Sequence, residues 1–193
     1  MSRVAVVLAA GESTRLGQPK QLLKLQGETL IRHAVGAAKQ AGAESTFVVV
    51  GAFADQIERE LRGVTQITIL RNFEWLQGMG TSVACAAAGA IESEADCTAL
   101  LLLVCDQPFV PHEHLRTLFD RVESLSRIAA TAFPDGTLGI PACFPVRYLP
   151  MLAELSGARG AKSLIRNEDA VAVTCLQADI DVDVPDDLKR LAE

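Results

Sequence analysis

Four apolar runs of strand length, separated by helical patterns, limit how this chain can fold more than any other feature. The runs lie at residues 3–10, 45–51, 66–71 and 98–105. They show little polar alternation, which indicates strands buried on both faces of a parallel sheet. Helical patterns lie at residues 28–42, 55–63, 79–95 and 111–125. This alternation predicts a doubly wound α/β fold, with a mostly parallel sheet and helices on both faces.

The last third of the chain has a less regular pattern. Strands are predicted at 139–146 and 170–176, with helices at 149–155, 160–167 and 185–193. The sequence contains no internal repeat, low-complexity segment or linker. We therefore expect residues 1–193 to form a single domain.

Composition and charge exclude several classes of partner. Of the 193 residues, 49% are hydrophobic and 22% are charged, which is ordinary for a globular protein. The net charge of −6 argues against nucleic acid or an anionic membrane as a partner, because binding to either needs a basic face. The apolar run near the N-terminus is too short for a secretory signal, and we expect a buried strand there. Five scattered cysteines without a CxxC pair favour a reducing, cytoplasmic location.

The segment after the first predicted strand carries glycine and charge but little that can be buried. Gly11 and Gly17 let the backbone approach a ligand closely, and consecutive N–H groups in such a loop can bind an anion. Arg15 offers a planar fork of donors and Lys20 a mobile positive charge, which together suit a polyphosphate. The motifs GxxxxGK[ST] and GxGxxG are both absent. We predict a phosphate-binding loop, and the alternative is a plain surface turn.

Two acidic segments are candidates for a metal site. Asp106 directly follows the apolar run 98–105, so it should lie at the carboxyl edge of the sheet, where ligands bind. A carboxylate there is the kind of oxygen ligand that Mg²⁺ prefers, and the alternative is a turn or helix-capping aspartate. Asp181 and Asp183 are two residues apart, so in an extended segment they share one side.

The segment NFEWLQGMGTS, residues 72–82, is a candidate nucleoside site. The positions that would hold the nucleoside are Asn72, Gly78, Gly80 and Ser82. A helix that starts near the end of this segment would also direct its N-terminus into the site. The alternative is that the aromatic side chains belong to the core or a lid and that the glycines form a turn.

Other chemistry-bearing side chains are expected to play no catalytic part. His112 and His114 are two residues apart rather than four, so we expect exposed side chains in a first helical turn instead of a metal pair. His33 lies within a predicted helix and is expected to be structural. Cys105 adjoins an apolar strand without a histidine near it in sequence, so a nucleophilic role is not expected.

The stretch LAAGESTRLGQPKQLL, residues 8–23, resembles the LAAGxSxRxGxxK signature of a family of nucleotidyltransferases. That family includes the molybdenum cofactor cytidylyl- and guanylyltransferases. The resemblance covers nearly the whole chain, through NFEWLQGMGTS, CDQP, GIPACF, GARGAKSLI and DVDVPDDL. LAAG and KQLL are closer to the cytidylyltransferase branch, because the guanylyltransferases usually read LAGG. Ala158 departs from the pattern, since similar proteins often have an aspartate there.

The resemblance implies a Rossmann-like fold of the nucleotide-diphospho-sugar transferase type and a magnesium-dependent reaction. In that reaction CMP passes from CTP to the terminal phosphate of the molybdenum cofactor, and pyrophosphate is released. The product could then be delivered to a molybdoenzyme or its chaperone. Two other hypotheses stay open: transfer to another acceptor, such as a sugar phosphate or methylerythritol phosphate, and a non-catalytic nucleotide-binding module.

The resemblance also implies roles for particular residues. Asp106 would bind magnesium together with Asp183 as the first choice and Asp181 as the second. The implied catalytic residues are Arg15, Lys20 and Asp106. The implied nucleotide-binding positions are Leu8, Ala9, Ala10, Gly11, Arg15, Lys20, Asn72, Gly78, Gly80 and Ser82.

Overall fold

The computed structural model describes residues 2–93, 96–158, 160–182 and 187, and its elements largely follow the predicted pattern. The strands are β1 (Ser2–Ala9), β2 (Lys24–Leu25), β3 (Glu28–Thr29), β4 (Ser45–Val50), β5 (Ile67–Arg71), β6 (Cys97–Val104), β7 (Ala129–Ala132), β8 (Leu138–Pro145) and β9 (Val171–Thr174). The helices are α1 (Leu30–Gln40), α2 (Ala54–Glu60), α3 (Met79–Ser93), α4 (His112–Leu125), α5 (Leu149–Ala153) and α6 (Lys162–Asn167).

Seven of these strands form one mixed sheet in the order β5-β4-β1-β6-β8-β7-β9. Strands β5, β4, β1 and β6 are parallel to one another, and β7 is parallel to β9. Strand β8 runs antiparallel to β6 and to β7. Strands β2 and β3 pair separately as a short hairpin. The mostly parallel, Rossmann-like sheet confirms the predicted fold class.

Helices cover both faces of the sheet, and β1 contributes side chains to both cores. The core under α1, α2 and α4 receives Ala5, Val7 and Ala9. The core under α3, α5 and α6 receives Val4, Val6 and Leu8. Because both faces are buried along residues 4–9, this part of the strand has no position for a polar side chain, which explains the continuous apolar run after Ser2 and Arg3. The packing fixes the end of β1, and hence the start of the loop that follows it.

Several element ends differ from the sequence prediction. The helix predicted from residue 28 begins at Leu30, because residues 28–29 pair with 24–25 in the hairpin. Pro111 has extended backbone and precedes α4 rather than lying within its first turn. The sequence pattern does not predict β7, because its sequence AATA lacks bulky apolar residues. The helix predicted at the C-terminus lies outside the described residues, apart from residue 187.

The prediction that His114 is exposed is wrong. The side chain is 7% exposed and packs among the buried residues of α4. His114 Nε2 lies 2.8 Å from Thr131 Oγ1, which in turn donates to the Pro141 carbonyl oxygen at 2.7 Å. Burial lowers the pKa of His114, so the imidazole is neutral near pH 7. His114 therefore ties α4 to β7 and β8, while His112 is only partly exposed.

In the described ranges, every helix is too short or too polar to span a bilayer.

Candidate active site

A cleft opens at the carboxyl edge of the sheet, where the loop after β1 meets the loop after β6. Leu8 of β1 pairs with Val104 of β6 in parallel register, so the two loops leave the sheet side by side. The cleft has a volume of about 370 Å³. Of the positions predicted to bind nucleotide, those that line it are Leu8, Ala9, Ala10, Gly11, Lys20, Gly78 and Ser82.

Lys20 and Asp106 meet in this cleft although 86 residues separate them in sequence. Lys20 Nζ and Asp106 Oδ2 form an ion pair, and each side chain is 18% exposed. Asp106 Oδ1 is buried and has no hydrogen-bond partner within the described part of the chain. Leaving a buried carboxylate oxygen without a donor is costly. Binding of a cation at Oδ1 would remove that cost.

The Cys105 thiol, next to this carboxylate, is chemically inert. Burial, with a smaller contribution from the Asp106 charge, raises the pKa of Cys105 to about 12. The thiol therefore stays protonated near neutral pH, and a thiol is a weak nucleophile compared with a thiolate. This agrees with the expectation that Cys105 is not a nucleophile.

A second cavity, of about 350 Å³, lies along the loop after β1. Residues 11–16 and Lys20 line it, so Lys20 borders both this cavity and the cleft. Ser13 and Gly17 have left-handed backbone, with φ of 53° and 66°. The loop therefore turns back on itself, and Ser13 Oγ accepts a hydrogen bond from the Lys20 N–H at 3.2 Å. This turn places Arg15 and Lys20 in the lining of one cavity.

Asn72 supports the cleft indirectly, through Ser82. Its side chain is 6% exposed. Nδ2 donates to Thr81 Oγ1 at 2.9 Å and to Ser82 Oγ at 3.0 Å, and Oδ1 accepts from the Glu74 N–H at 2.9 Å. These bonds join the loop after β5 to the first turn of α3. Ser82, rather than Asn72, lines the cleft.

A third cavity, of about 400 Å³, lies on the other side of Asp106. It shares Met79, Val104 and Asp106 with the cleft, so the two spaces adjoin at these three residues, of which Asp106 alone is charged. Its other polar side chains include Gln107, Thr137, Lys162 and Asp181. Its apolar lining includes Phe133, Leu138, Ile140 and Ile165, and Ala158 also borders it. A reaction between a molecule in the cleft and one in this cavity would take place beside Asp106.

Gly78 and Gly80 are required by close packing against the segment 156–158, which borders the third cavity. The Gly80 N–H donates to the Gly157 carbonyl oxygen at 2.8 Å. A Cβ on Gly80 would lie 2.6 Å from the Ser156 carbonyl oxygen, and a Cβ on Gly78 would lie 2.7 Å from Gly157 O. Only glycine allows backbones to approach this closely. The glycines therefore join the cleft segment directly to the segment beside the third cavity.

Gly80→Ala is expected to lower the free energy of unfolding by ~2 kcal/mol, because the added methyl group overlaps the Ser156 backbone. Gly36→Ala is the matched control. Gly36 lies inside α1 with nothing within 4 Å of an added Cβ, so alanine should raise the free energy of unfolding by ~0.5–1 kcal/mol. Denaturant unfolding of both variants measures the two changes. A Gly80→Ala variant as stable as the wild type would contradict the close contact.

Two of the three carboxylates predicted to bind a metal lie in the described part of the chain, and their chemistry suits a hard cation. Asp106 and Asp181 both line the third cavity, whereas Asp183 and Arg159 lie outside the described residues. Within the described ranges, no group of three or more His, Cys, Asp and Glu side chains could hold a metal ion. The buried, unpartnered Oδ1 of Asp106 nevertheless fits an oxygen-binding cation such as Mg²⁺.

Three further residues of the cleft lack a clear signal in the sequence. Gln21, Trp75 and Met79 all line it. Trp75, the chain's single tryptophan, lies in the candidate nucleoside segment, but a core or lid position accounts for an aromatic side chain there equally well. Met79 lies between two glycines, and Gln21 follows Lys20. Neither position has a spacing or a chemistry that distinguishes it before the fold is known.

Comparison with known proteins identifies the family. A model described as the MobA-like NTP transferase domain matches residues 5–172. The chain belongs to the MobA-like NTP transferase family. It is thus a nucleotidyltransferase of the MobA-like type, in agreement with the resemblance of its first loop.

Individual relatives support the same assignment. Bifunctional protein GlmU from Xanthobacter autotrophicus is 37% identical over 135 residues, which cover 68% of this chain but only 29% of GlmU. The crystal structure of Rv0371c from Mycobacterium tuberculosis H37Rv superposes with a TM-score of 0.81 at 28% identity, covering 99% of this chain and 97% of Rv0371c. A manganese complex of Rv0371c has a TM-score of 0.78 at 27% identity, with 99% and 98% of the two chains covered.

A more distant structure shows the fold alone. 4-Diphosphocytidyl-2C-methyl-D-erythritol synthase from Anaerococcus prevotii is 13% identical, with a TM-score of 0.75 over 98% of this chain and 94% of the synthase. The two chains therefore share a Rossmann-like fold.

Proposed function

We propose that this chain is a magnesium-dependent enzyme that transfers CMP from CTP to the terminal phosphate of the molybdenum cofactor and releases pyrophosphate. The observation that carries the proposal is the position of Asp106. Its carboxylate pairs with Lys20 of the loop after β1 and borders both the cleft and the third cavity. An enzyme that joins a nucleotide to an acceptor needs two such spaces that meet at one charged group.

The nucleotide would occupy the cleft, with its β and γ phosphates along the loop after β1. Arg15 and Lys20 line the cavity beside that loop, and their charges would hold the pyrophosphate as it leaves. Ser82, Gly78 and the backbone at Ala10 would contact the nucleoside. The acceptor phosphate is already largely ionised near pH 7, so the residues need to position it and not to deprotonate it.

Asp106, with Asp183 or Asp181, would hold the magnesium ion. When bound, the ion supplies positive charge that stabilises the negative charge gathering on the α-phosphate. The fit of a magnesium ion rests on Asp106 Oδ1, which has no hydrogen-bond partner among the described residues. The manganese complex of Rv0371c adds support from a relative.

The acceptor would occupy the third cavity. Lys162 offers one positive charge for a phosphate, while Phe133, Leu138 and Ile140 make much of the lining apolar. Apolar side chains can pack against the ring faces of the molybdenum cofactor's heterocycle, whereas a sugar phosphate presents mainly hydroxyl groups, which need hydrogen-bond partners. The product would pass to a molybdoenzyme or its chaperone. The five cysteines, all within the described residues, form no disulfide, which supports a reducing compartment such as the cytoplasm.

The test is a screen of four nucleoside triphosphates against the molybdenum cofactor, a sugar phosphate and methylerythritol phosphate, with pyrophosphate release as the readout. We expect CTP with the molybdenum cofactor to give the highest kcat/KM, about tenfold above GTP. The expectation follows from LAAG at residues 8–11, which is closer to the cytidylyltransferase branch, and one or two contacts to the base contribute about a factor of ten.

Each outcome of the screen selects among the hypotheses. A preference for GTP would overturn the choice of base and leave the transferase assignment intact. A preference for either other acceptor would overturn the choice of the molybdenum cofactor. Tight CTP binding without pyrophosphate release from any pair would favour a non-catalytic nucleotide-binding module.

A further inference from the structure

Gln21 lies directly against the start of the loop after β1, where its amide group bonds to the loop backbone. The residue belongs to a short helical turn, Lys20–Leu22, and is 1% exposed. Its Nε2 donates to the Ala9 carbonyl oxygen at 3.1 Å and to the Gly11 carbonyl oxygen at 2.8 Å. One side chain thus binds the carbonyl groups on both sides of Ala10.

The carbonyl group of Ala10, which lies between those of Ala9 and Gly11, has a hydrogen-bond donor other than Gln21. Ala10 O accepts a hydrogen bond from the Ala52 N–H at 3.1 Å. Three successive carbonyl oxygens at the start of the loop therefore all have donors within the protein. This matters in a phosphate site because a carbonyl oxygen carries partial negative charge and would repel a phosphate.

Fixing the carbonyl groups also fixes the N–H groups. In a planar trans peptide, the C=O of one residue and the N–H of the next point in opposite directions. The bonds from Gln21 to Ala9 O and Gly11 O therefore make the N–H groups of Ala10 and Glu12 point away from Gln21. Ala10 and Glu12 both line the cleft. N–H groups held in one direction form an anion-binding surface without any reorganisation on binding.

The oxygen of the Gln21 amide indicates that the two hydrogen bonds donated by its nitrogen are the reason for a glutamine at this position. Gln21 Oε1 is buried and has no hydrogen-bond partner among the described residues. Burying a polar atom without a partner costs stability, so an apolar side chain would be the better choice for packing alone. The identity of the nitrogen is fixed by its two carbonyl neighbours, since an oxygen at that place would face two acceptors.

We propose that Gln21 is a positioning residue that holds the loop after β1 in its phosphate-binding form. This inference rests on the proposed function, in which the cleft binds a nucleoside triphosphate. Gln21 acts through the loop backbone, so its effect should grow with the number of phosphates on the ligand. A residue that only stabilised the fold would change the affinity for all ligands of the cleft alike.

The test measures how cytidine, CMP and CTP bind to wild type and to Gln21→Met, which keeps the length of the side chain but lacks the donors. Trp75 lines the cleft and is the chain's single tryptophan, so its fluorescence reports binding without a label. We expect the Kd of CTP to rise about tenfold, corresponding to the loss of two modest hydrogen bonds. The Kd of cytidine should change less than about twofold, with CMP in between.

Two further variants make the result decisive. Gln21→Glu has nearly the same shape, so it tests the same loss of donors if the methionine variant fails to fold, and CTP binding should weaken at least as much. Thr29→Val is the control for a lost buried hydrogen bond elsewhere. Thr29 is 4% exposed, and its hydroxyl donates to Glu60 Oε1 at 3.1 Å. This variant should lose stability and bind CTP like the wild type.

Equal weakening of cytidine and CTP, or unchanged CTP binding in a folded Gln21 variant, would overturn the inference and leave the proposed function standing. Failure of the wild type itself to bind CTP would instead overturn the proposed function. Thermal melting of each variant confirms that the folded protein is being compared.

Discussion

Asp106→Asn should reduce kcat at least ~100-fold, because cation binding and the stabilisation of transition-state charge contribute several kcal/mol, and each ~1.4 kcal/mol is a factor of ten in rate. The asparagine keeps the shape of the side chain but removes the charge from the buried, unpartnered Oδ1. It also removes the ion pair with Lys20, which costs the fold about 1–3 kcal/mol, because both side chains are largely buried and the asparagine keeps only a neutral acceptor for Lys20. Steady-state kinetics with pyrophosphate as the readout, together with thermal melting, measures both effects.

A matched carboxylate far from the cleft provides the control. Asp169 pairs with Arg127 and its side chain is 92% exposed, so Asp169→Asn should leave kcat unchanged. Titration with Mn²⁺ adds a readout besides activity, since the Asp106 variant should bind the ion more weakly than wild type. Full wild-type turnover in a chelated, metal-free buffer would exclude Asp106 as a metal ligand of the reaction.

The central part of the fold was predictable because its strands are buried on both faces. The apolar run at 3–10 differs from β1 by one residue at each end, and its lack of polar alternation follows from the two cores that enclose it. The half of the sheet around β7 was less predictable. Strand β7 has four residues with small side chains, and β8 runs antiparallel between β6 and β7. Neither local composition nor spacing determines such an insertion.

In the candidate site, too, some features follow from the local sequence and others depend on contacts between distant parts of the chain. Lys20 and Asp106 each follow a buried strand, so a sheet with parallel strands brings them to one edge. The contacts of Gly80 with Gly157 and of His114 with Thr131 depend on elements that pack only in the complete fold. His114 was misjudged because a residue in a first helical turn is usually exposed, whereas here the turn packs on β7. The same limit applies to Gln21, whose acceptors are backbone atoms.

Lys20 and Arg15 should both contribute to catalysis, but in different kinetic parameters. Lys20 borders the cleft and the second cavity and pairs with Asp106, so in the proposed reaction it would lie between the reaction centre and the leaving phosphates. Arg15 lines the second cavity and is more exposed than Lys20. A charge beside the breaking bond interacts most strongly with the transition state, whereas a charge at the far phosphates stabilises bound substrate and transition state alike.

Lys20→Met should therefore lower kcat at least ~100-fold with a change in the KM for CTP of ~3-fold or less, while Arg15→Ala should raise that KM ~10-fold and lower kcat only modestly. Lys24→Met is the control for loss of a lysine charge, because Lys24 is exposed in the nearby strand β2. Arg15→Ala should keep the wild-type melting temperature, because Arg15 is exposed, whereas Lys20→Met should lower it, because the largely buried Asp106 carboxylate loses its partner. Wild-type kcat/KM in both variants would show that this loop does not bind the triphosphate. A KM effect for Lys20 as large as its kcat effect would show that Lys20 contributes to ground-state binding and is not selective for the transition state.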